Sequence, residues 1–309
     1  MIKITHSEYN ELPEVYKIVG KAFEKPAAYF KNFVEMNPYY KGDDFFIAKI
    51  DGKIVSAIQV LLREVYFNKE RMLIGGIGQV ATLPEYRGRG LAGKLLTACL
   101  EYMKKNKVDY SLLFAGPVPL YEKYGWKELP VKTLSLNVEY IKTSKLKNKY
   151  VVKQYRKNNN YQLFNVHNFY IKNFNSCVIR NTLYWNTYHD KFKAKDSKIF
   201  ILEDNNKNTV AYLSVNKDGD KLNIMEYGAY DINNEDFFNI LLEFVLNKIR
   251  VKEVFISAGN RYYIPYKILK QKKESIIKER TGFMVQNIKS NIDWKKSLPK
   301  LLFFPHDNF

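Results

Sequence analysis

The sequence predicts a mixed α/β fold built as two similar halves, and three observations carry that expectation. Strand-like and helix-like apolar spacings alternate through the first 140 residues, with a hairpin signal at Asp51-Gly52. A glycine-rich stretch, PEYRGRGLAGKLL from Pro84 to Leu96, stands between a strand and a helix. A strand, strand, strand, helix, strand order then recurs from Ile199 to Ala258 without such a turn. At 309 residues the chain is long enough for two domains of about 150 residues each, and 46% hydrophobic residues supply their cores.

In chain order, Ile2 to Thr5 reads as a short strand, and Leu12, Val15, Tyr16, Val19 and Phe23 recur after it at helical spacing. Phe45 to Ile50 and Ile54 to Leu62 flank Asp51-Gly52, which predicts two antiparallel strands joined by a tight turn. Leu73 to Leu83 is a further apolar strand that Pro84 ends; its Gly75, Gly76 and Gly78 signal a bulge or a close approach to the backbone. From Gly90 to about Lys105, Leu91, Leu95, Cys99 and Tyr102 line one helical face, so Cys99 reads as a core residue. Tyr110 to Phe114 follows as a strand, Leu120 to Tyr124 as a short helix, and Thr133 to Val138 as the strand expected to close the first set. The basic stretch Lys142 to Lys149 reads as a linker to the second half.

Three phosphate-binding readings compete for the glycine-rich stretch. As G-x-G-x-x-G, through Gly88, Gly90 and Gly93, it would be a dinucleotide turn, but Pro84 to Arg87 separate it from the strand and Asp109 precedes the next strand instead of ending it. As G-x-x-x-x-G-K it lacks the Ser or Thr that ligates magnesium, because Leu95 stands there. As Arg87-Gly88-Arg89-Gly90-Leu91-Ala92 opening a helix, it needs only what is present: backbone N–H groups and two arginines facing an anion, with glycines that let a pyrophosphate come close.

Taken together, VATLPEYRGRGLAGKLL and the later PLYEKYGW resemble the acetyl-CoA site of the GNAT superfamily of N-acetyltransferases, over Leu73 to Trp126. With the recurring second half, the resemblance implies tandem GNAT-like domains, the second degenerate: a catalytic domain at 1–141, a linker at 142–149, a degenerate copy at 150–290 and a tail at 291–309. The glycine-rich strand, the second domain and the terminal phenylalanine further resemble the Eis-like (enhanced intracellular survival) branch. The usual third, sterol-carrier-like domain of that branch has no complete room in a chain of this length.

The resemblance implies transfer of an acetyl group from acetyl-CoA, as co-substrate, to a primary amine by direct attack on the thioester. It assigns backbone contacts with the pantetheine and the acetyl oxygen to Val80, Ala81 and Thr82, and the pyrophosphate to Arg87, Gly88, Arg89, Gly90, Leu91, Ala92 and Gly93. Tyr121 takes the role of general acid toward the departing thiolate, while Tyr124 and Trp126 read as core. The strand Leu73 to Leu83 carries no Asp or Glu, and Gln79 cannot abstract a proton; the resemblance to the Eis-like branch implies the carboxylate of Phe309 as base, with His306 and Asp307 as second choices. His6, His167 and His189 show no partner in sequence and read as structural or surface residues.

Composition bounds the partners. The start MIKITHSEYN has no signal core and no run of eighteen apolar residues occurs, so neither a membrane partner nor processing is expected. Cys99 and Cys177 lack disulfide or metal-ligand spacing, which predicts a reducing cytoplasm and no metal. The net charge is +18, and Tyr140 to His189 contains no Asp or Glu. Such a field attracts anions, but the excess of Lys over Arg, with abundant Asn, Ile and Tyr, is what biased codon usage produces, and a nucleic-acid partner is not expected. The acceptor is expected to be a small-molecule or protein amine; Glu24, Glu35, Asp43 and Asp44 are the nearby acidic candidates for its mouth, in the region that by the resemblance shapes the acceptor site. The alternatives are a non-catalytic CoA-binding regulatory protein and a basic nucleic-acid-binding protein, and a homo-oligomer is left open.

Overall fold

The computed structural model describes residues 1–40, 44–141, 149–155, 160–186, 197–260 and 262–304. The first half runs β1 (Ile2–His6), α1 (Leu12–Phe23), α2 (Ala27–Glu35), β2 (Phe45–Ile50), β3 (Lys53–Phe67), β4 (Glu70–Thr82), α3 (Leu91–Lys105), β5 (Tyr110–Phe114), α4 (Val118–Glu122), β6 (Lys127–Glu128) and β7 (Val131–Asn137). The second continues with β8 (Val151–Gln154), α5 (Asn160–Ile171), β9 (Cys177–Val178), α6 (Thr182–Tyr184), β10 (Lys198–Glu203), β11 (Thr209–Asp218) and β12 (Lys221–Ala229). It ends with α7 (Glu235–Lys248), β13 (Glu253–Gly259), α8 (Ile264–Lys270), β14 (Ile276–Arg280), β15 (Phe283–Asn287) and α9 (Trp294–Ser297).

Local chemistry explains the first hairpins. Asp51 (φ 49°) and Gly52 (φ 82°) both lie in the left-handed region, the geometry of a two-residue turn whose twist matches its strands. A second such turn, Asn68 (φ 50°) and Lys69 (φ 71°), joins β3 to β4 and carries β3 past the Leu62 expected as its end. Around these strands the first sheet has the order β1-β2-β3-β4-β5-β15-β6. Helix α3 buries Leu91, Leu95, Leu96, Cys99 and Met103 on one face against Ile58, Val60, Ile77 and Leu113. A side chain at Gly75 would stand 2.3 Å from Met103 Sδ, so glycine sets how closely α3 approaches β4. On the other face, α1 and α2 bring Val15, Tyr16, Val19 and Phe30 onto Phe45, Ile47, Ala57 and Ala81.

Written in the same direction, the second sheet is β8-β10-β11-β12-β13-β7-β14. The position β15 holds in the first sheet is held by β7 in the second, so the two halves exchange a strand. This corrects the expectation that Thr133 to Val138 closes the first set. Asn137 and Leu136 stand opposite Glu253 and Val254 of β13, and Leu134 and Leu136 enter the second core. In return, β15 pairs Phe283 to Asn287 with Phe114 to Tyr110 of β5. Local pattern could not reveal this, because an alternating strand fits any sheet that offers a matching apolar face. Neither sheet is therefore completed within the ranges 1–141 and 150–290.

Helix α7 covers the second sheet as α3 covers the first, burying Phe238, Leu241, Leu242 and Val245 against Leu213, Ile224 and Val254. Among the described residues, no helix is long and apolar enough to cross a membrane.

Candidate active site

A parallel pair of strands that parts company creates the site. β4 and β5 pair only from Ile74–Tyr110 to Ile77–Leu113, while β4 runs on through Gly78 to Thr82. On its other side β4 stays laddered to β3, with a bulge: Gln59 faces Gly78, Ala57 faces Ala81, and the extra residue is Gln79 at φ 50°. The bulge turns β4 away from β5 and leaves an opening between them. Gly78 was the sequence signal for it, displaced by one residue.

Backbone directions in the opening follow from the β3 ladder. Leu83 N donates to Val55 O, and in an antiparallel ladder successive residues face opposite sides, so Ala81 faces β3 while Val80 and Thr82 face the opening. The Ala81 carbonyl also accepts from Ser56 Oγ at 2.8 Å. Of the three residues expected to offer backbone groups, Ala81 is thus turned toward β3, and the Thr82 carbonyl already receives Arg87 Nε at 3.3 Å.

Beyond Thr82 the chain makes the turn that opens α3. Gly88 (φ 76°) and Gly90 (φ 71°) adopt left-handed conformations, and nothing lies within 4 Å of where a β-carbon would sit on either. Glycine serves here for its backbone and for the open space in front of it. Gly90 is the N-cap and supplies no side-chain cap; Lys94 N donates to Gly90 O, which leaves the N–H groups of Leu91, Ala92 and Gly93 with no intrahelical acceptor. Arg87 and Arg89 are exposed, Arg89 lying over the Tyr86 ring at 5.0 Å. The side chains of Leu91 and Gly93 face elsewhere: Leu91 is core, and a β-carbon on Gly93 would meet the Tyr124 hydroxyl at 1.8 Å.

Tyr121, on α4, is 5% exposed and meets Trp126 edge-on at 6.3 Å. It belongs to the same apolar group as Leu91 and Leu113, against which Val80 packs, which sets it on the α3 side of the opening. Burial pushes its phenol up to about 12, so the hydroxyl stays protonated at neutral pH and is available as a donor. Trp126 is core as expected, its Nε1 donating to Ser111 Oγ at 3.2 Å.

Other expected residues have settled elsewhere. Glu24 lines a cavity of about 470 Å³ between α1 and the turn, together with Glu14, Glu85, Lys17, Lys21 and Lys53. Asp44 is buried and, with Glu35, lies close enough to Tyr40 to add to the burial that raises its phenol to about 12. His6 packs against Phe46 at 4.1 Å, and His167 is fully buried beside Glu226 and Tyr212. Asp43, His189, His306, Asp307 and Phe309 lie outside the described residues. Arg180, from the stretch without acids, is 1% exposed and forks onto Glu226 through two bonds of 2.9 and 2.7 Å, so it faces the core and not solvent.

The second sheet repeats the opening and closes it. β12 pairs with β13 only up to Ile224–Ile256 and carries its own irregularity beside Glu226. At the start of α7, however, Asn234 accepts from Asp236 N at 3.1 Å, and Glu235 and Asp236 occupy the first turn. Tyr263, just before α8, is buried and meets Phe174 edge-on at 6.4 Å. The fourth residue of α8, where α4 has Tyr121, is Lys267, and its Nζ is 2.8 Å from Glu235.

The architecture has relatives. The acetyltransferase (GNAT) domain family matches residues 3–129. An uncharacterized N-acetyltransferase of Methanocaldococcus jannaschii is 24% identical over 139 residues, which is 41% of this chain and 60% of that one, so the match spans less than two thirds of the curated relative. A crystal structure from Enterococcus faecalis, described as a probable N-acyltransferase, superposes with a TM-score of 0.77 at 17% identity, covering 94% of this chain and 73% of that one. Eis1 from Mycobacterium abscessus gives 0.68 at 11% identity, over 93% of this chain and 74% of its own. Residues 3–129 thus match a GNAT acetyltransferase domain, and along its length the chain shares its fold with solved structures that include a probable N-acyltransferase and Eis1.

Proposed function

We propose that the first domain transfers an acetyl group from acetyl-CoA to a primary amine that attacks the thioester directly. The observation that carries this reading is the pairing of an open β4–β5 gap with an uncapped α3 N-terminus at its mouth. Both features fit acetyl-CoA: the gap presents the backbone of Val80 to an extended amide-bearing chain, and the three free N–H groups of α3 face a pyrophosphate across Gly88 and Gly90. Arg87 and Arg89 add charge, and Leu91, Ala92 and Gly93 act through their backbone.

Acetyl-CoA supplies the activated carbonyl and the thiolate leaving group. Val80 N–H, facing the opening, would stabilise charge on the acetyl oxygen as the amine adds. Tyr121, protonated at neutral pH, would return a proton to sulfur. Proton removal from the amine is assigned, as an expectation from the resemblance alone, to the carboxylate of Phe309.

Titration calorimetry with acetyl-CoA, NAD and ATP plus magnesium tests the reading. Saturable binding of acetyl-CoA alone, followed by thiol release in the presence of an amine, is expected. Stoichiometric CoA binding with no turnover on any amine would favour a regulatory module, and preference for NAD or ATP would overturn the assignment.

A further inference from the structure

We infer that Leu301 to Phe304 form a strap that fixes the active-site helix α4, and that Phe303 and Phe304 are positioning residues for the transfer reaction; this rests on the acetyltransferase reading above. The strap is extended, and its side chains alternate between the two domains. Leu301 and Phe303 pack in the group that holds Phe283, Tyr110 and Leu112 of the first sheet. Leu302 and Phe304 enter the core of the second domain.

The anchors lie on the second domain. Asn260 Nδ2 donates to Leu301 O at 2.6 Å, Leu302 N donates to Asn175 O at 2.9 Å, and Asn175 N donates to Lys300 O at 2.8 Å. Phe304 meets Tyr263 edge-on at 6.0 Å. The second domain thus provides the dock for the chain's own strap.

From that dock, contacts run to α4. Phe303 stacks on Phe283 at 4.7 Å and meets Phe114 edge-on at 5.0 Å, while Phe114 and Phe283 are 4.9 Å apart. Phe114 is the last residue of β5, and Ala115 N, directly after it, donates to Gly282 O at 2.8 Å on the way into α4. At the far end of α4, Gln286, on the same strand as Phe283, donates through Nε2 to Tyr124 O at 3.0 Å. Both ends of the segment bearing Tyr121 therefore hang on β15, and the strap presses on β15 and β5 through one phenylalanine. General acids work only within a narrow geometry, so loosening this stack displaces the Tyr121 hydroxyl without touching the pyrophosphate turn.

The test compares Phe303→Ala, Phe303→Leu and Phe304→Ala with the parent in the full chain. Phe303→Ala is expected to lower kcat about tenfold with the acetyl-CoA Kd changed by no more than about twofold, and Phe303→Leu to restore most of the loss. Hydrogen exchange gives a readout free of activity: the amides of Leu120, Tyr124 and Trp126, which close the turns of this segment, should exchange faster in Phe303→Ala and Phe304→Ala. Asn260→Ala, which removes one anchor, should show the same signature at about threefold in kcat and stands in if the phenylalanine variants do not fold. Unchanged exchange across 118–126 in a folded strap variant, or undiminished kcat, overturns the proposal. A parent protein that acetylates no amine overturns the acetyltransferase reading instead, and the exchange measurement still decides the strap.

Discussion

The two domains place a helix N-terminus at the mouth of a strand opening, and they treat it in opposite ways. At α3 the cap is a glycine with φ 71°, no side chain returns to the backbone, and two exposed arginines stand close by. At α7 the cap is Asn234, bonded to Asp236 N, and Glu235 and Asp236 complement the helix dipole from within the first turn. One helix end receives a side-chain cap from its own chain and the other receives none. The same division runs deeper: Val80 faces an open gap, whereas Glu226, in the corresponding strand, is fully buried between Arg180, His167 and Tyr212. A shared fold therefore sets a helix end at each opening, and a few residues there decide how it is capped.

The largest expected effect tests the closed half. Glu226→Ala leaves Arg180 buried without its partner and should cost about 3–5 kcal/mol of stability in urea unfolding. Acetyl-CoA binding by the fraction still folded should be unchanged; a parallel loss of binding would mean that the second domain shapes the first site more directly than the fold implies. Next, Tyr121→Phe should lower kcat about 10²-fold or more with acetyl-CoA affinity retained, as expected for removal of a general acid. Because burial raises this phenol to about 12, it remains protonated as pH rises through neutrality, and any fall in kcat from its ionisation should wait until pH nears that value.

A smaller effect would make the first helix end resemble the second. Gly90→Asp puts a carboxylate at the mouth of α3 and should weaken acetyl-CoA by about 2 kcal/mol, close to thirtyfold, through repulsion of the pyrophosphate. Equal affinity by calorimetry would show that the phosphates lie elsewhere. The smallest effect comes from the reverse change. Glu235→Gln should cost only about 0.3–1 kcal/mol in stability by removing a dipole contact, and should create no acetyl-CoA site, since the Asn234 cap remains in place. Binding by that variant would mean that charge alone had silenced the second domain.

Much of this was legible in the chain. The turn Asp51-Gly52, the strand Tyr110–Phe114 and the start of α1 at Leu12 follow from local rules, because turn chemistry and side-chain periodicity act over a few residues. The glycine turn was legible for the same reason: Gly88 and Gly90 hold a backbone conformation that glycine reaches most easily. Helix α5 was missed because its apolar residues are spread around the helix, as in YQLFNVHNFY, and show no single face. The roles of Gln79, Tyr263 and Asn260 were missed because each depends on a neighbour far away in sequence.

The sequence by itself determined the class of fold and the position of the glycine turn before α3, since both are written in residues near one another in the chain; Tyr121 as candidate acid came from the family resemblance. Only the tertiary structure decided which sheet receives β7 and which β15, that Ala81 faces β3, that Arg180 is spent inside the core, and that the tail is drawn between the domains as far as Phe304. Those outcomes depend on which apolar surfaces meet after collapse. That meeting is a property of the packed pair of sheets and of no single stretch within either.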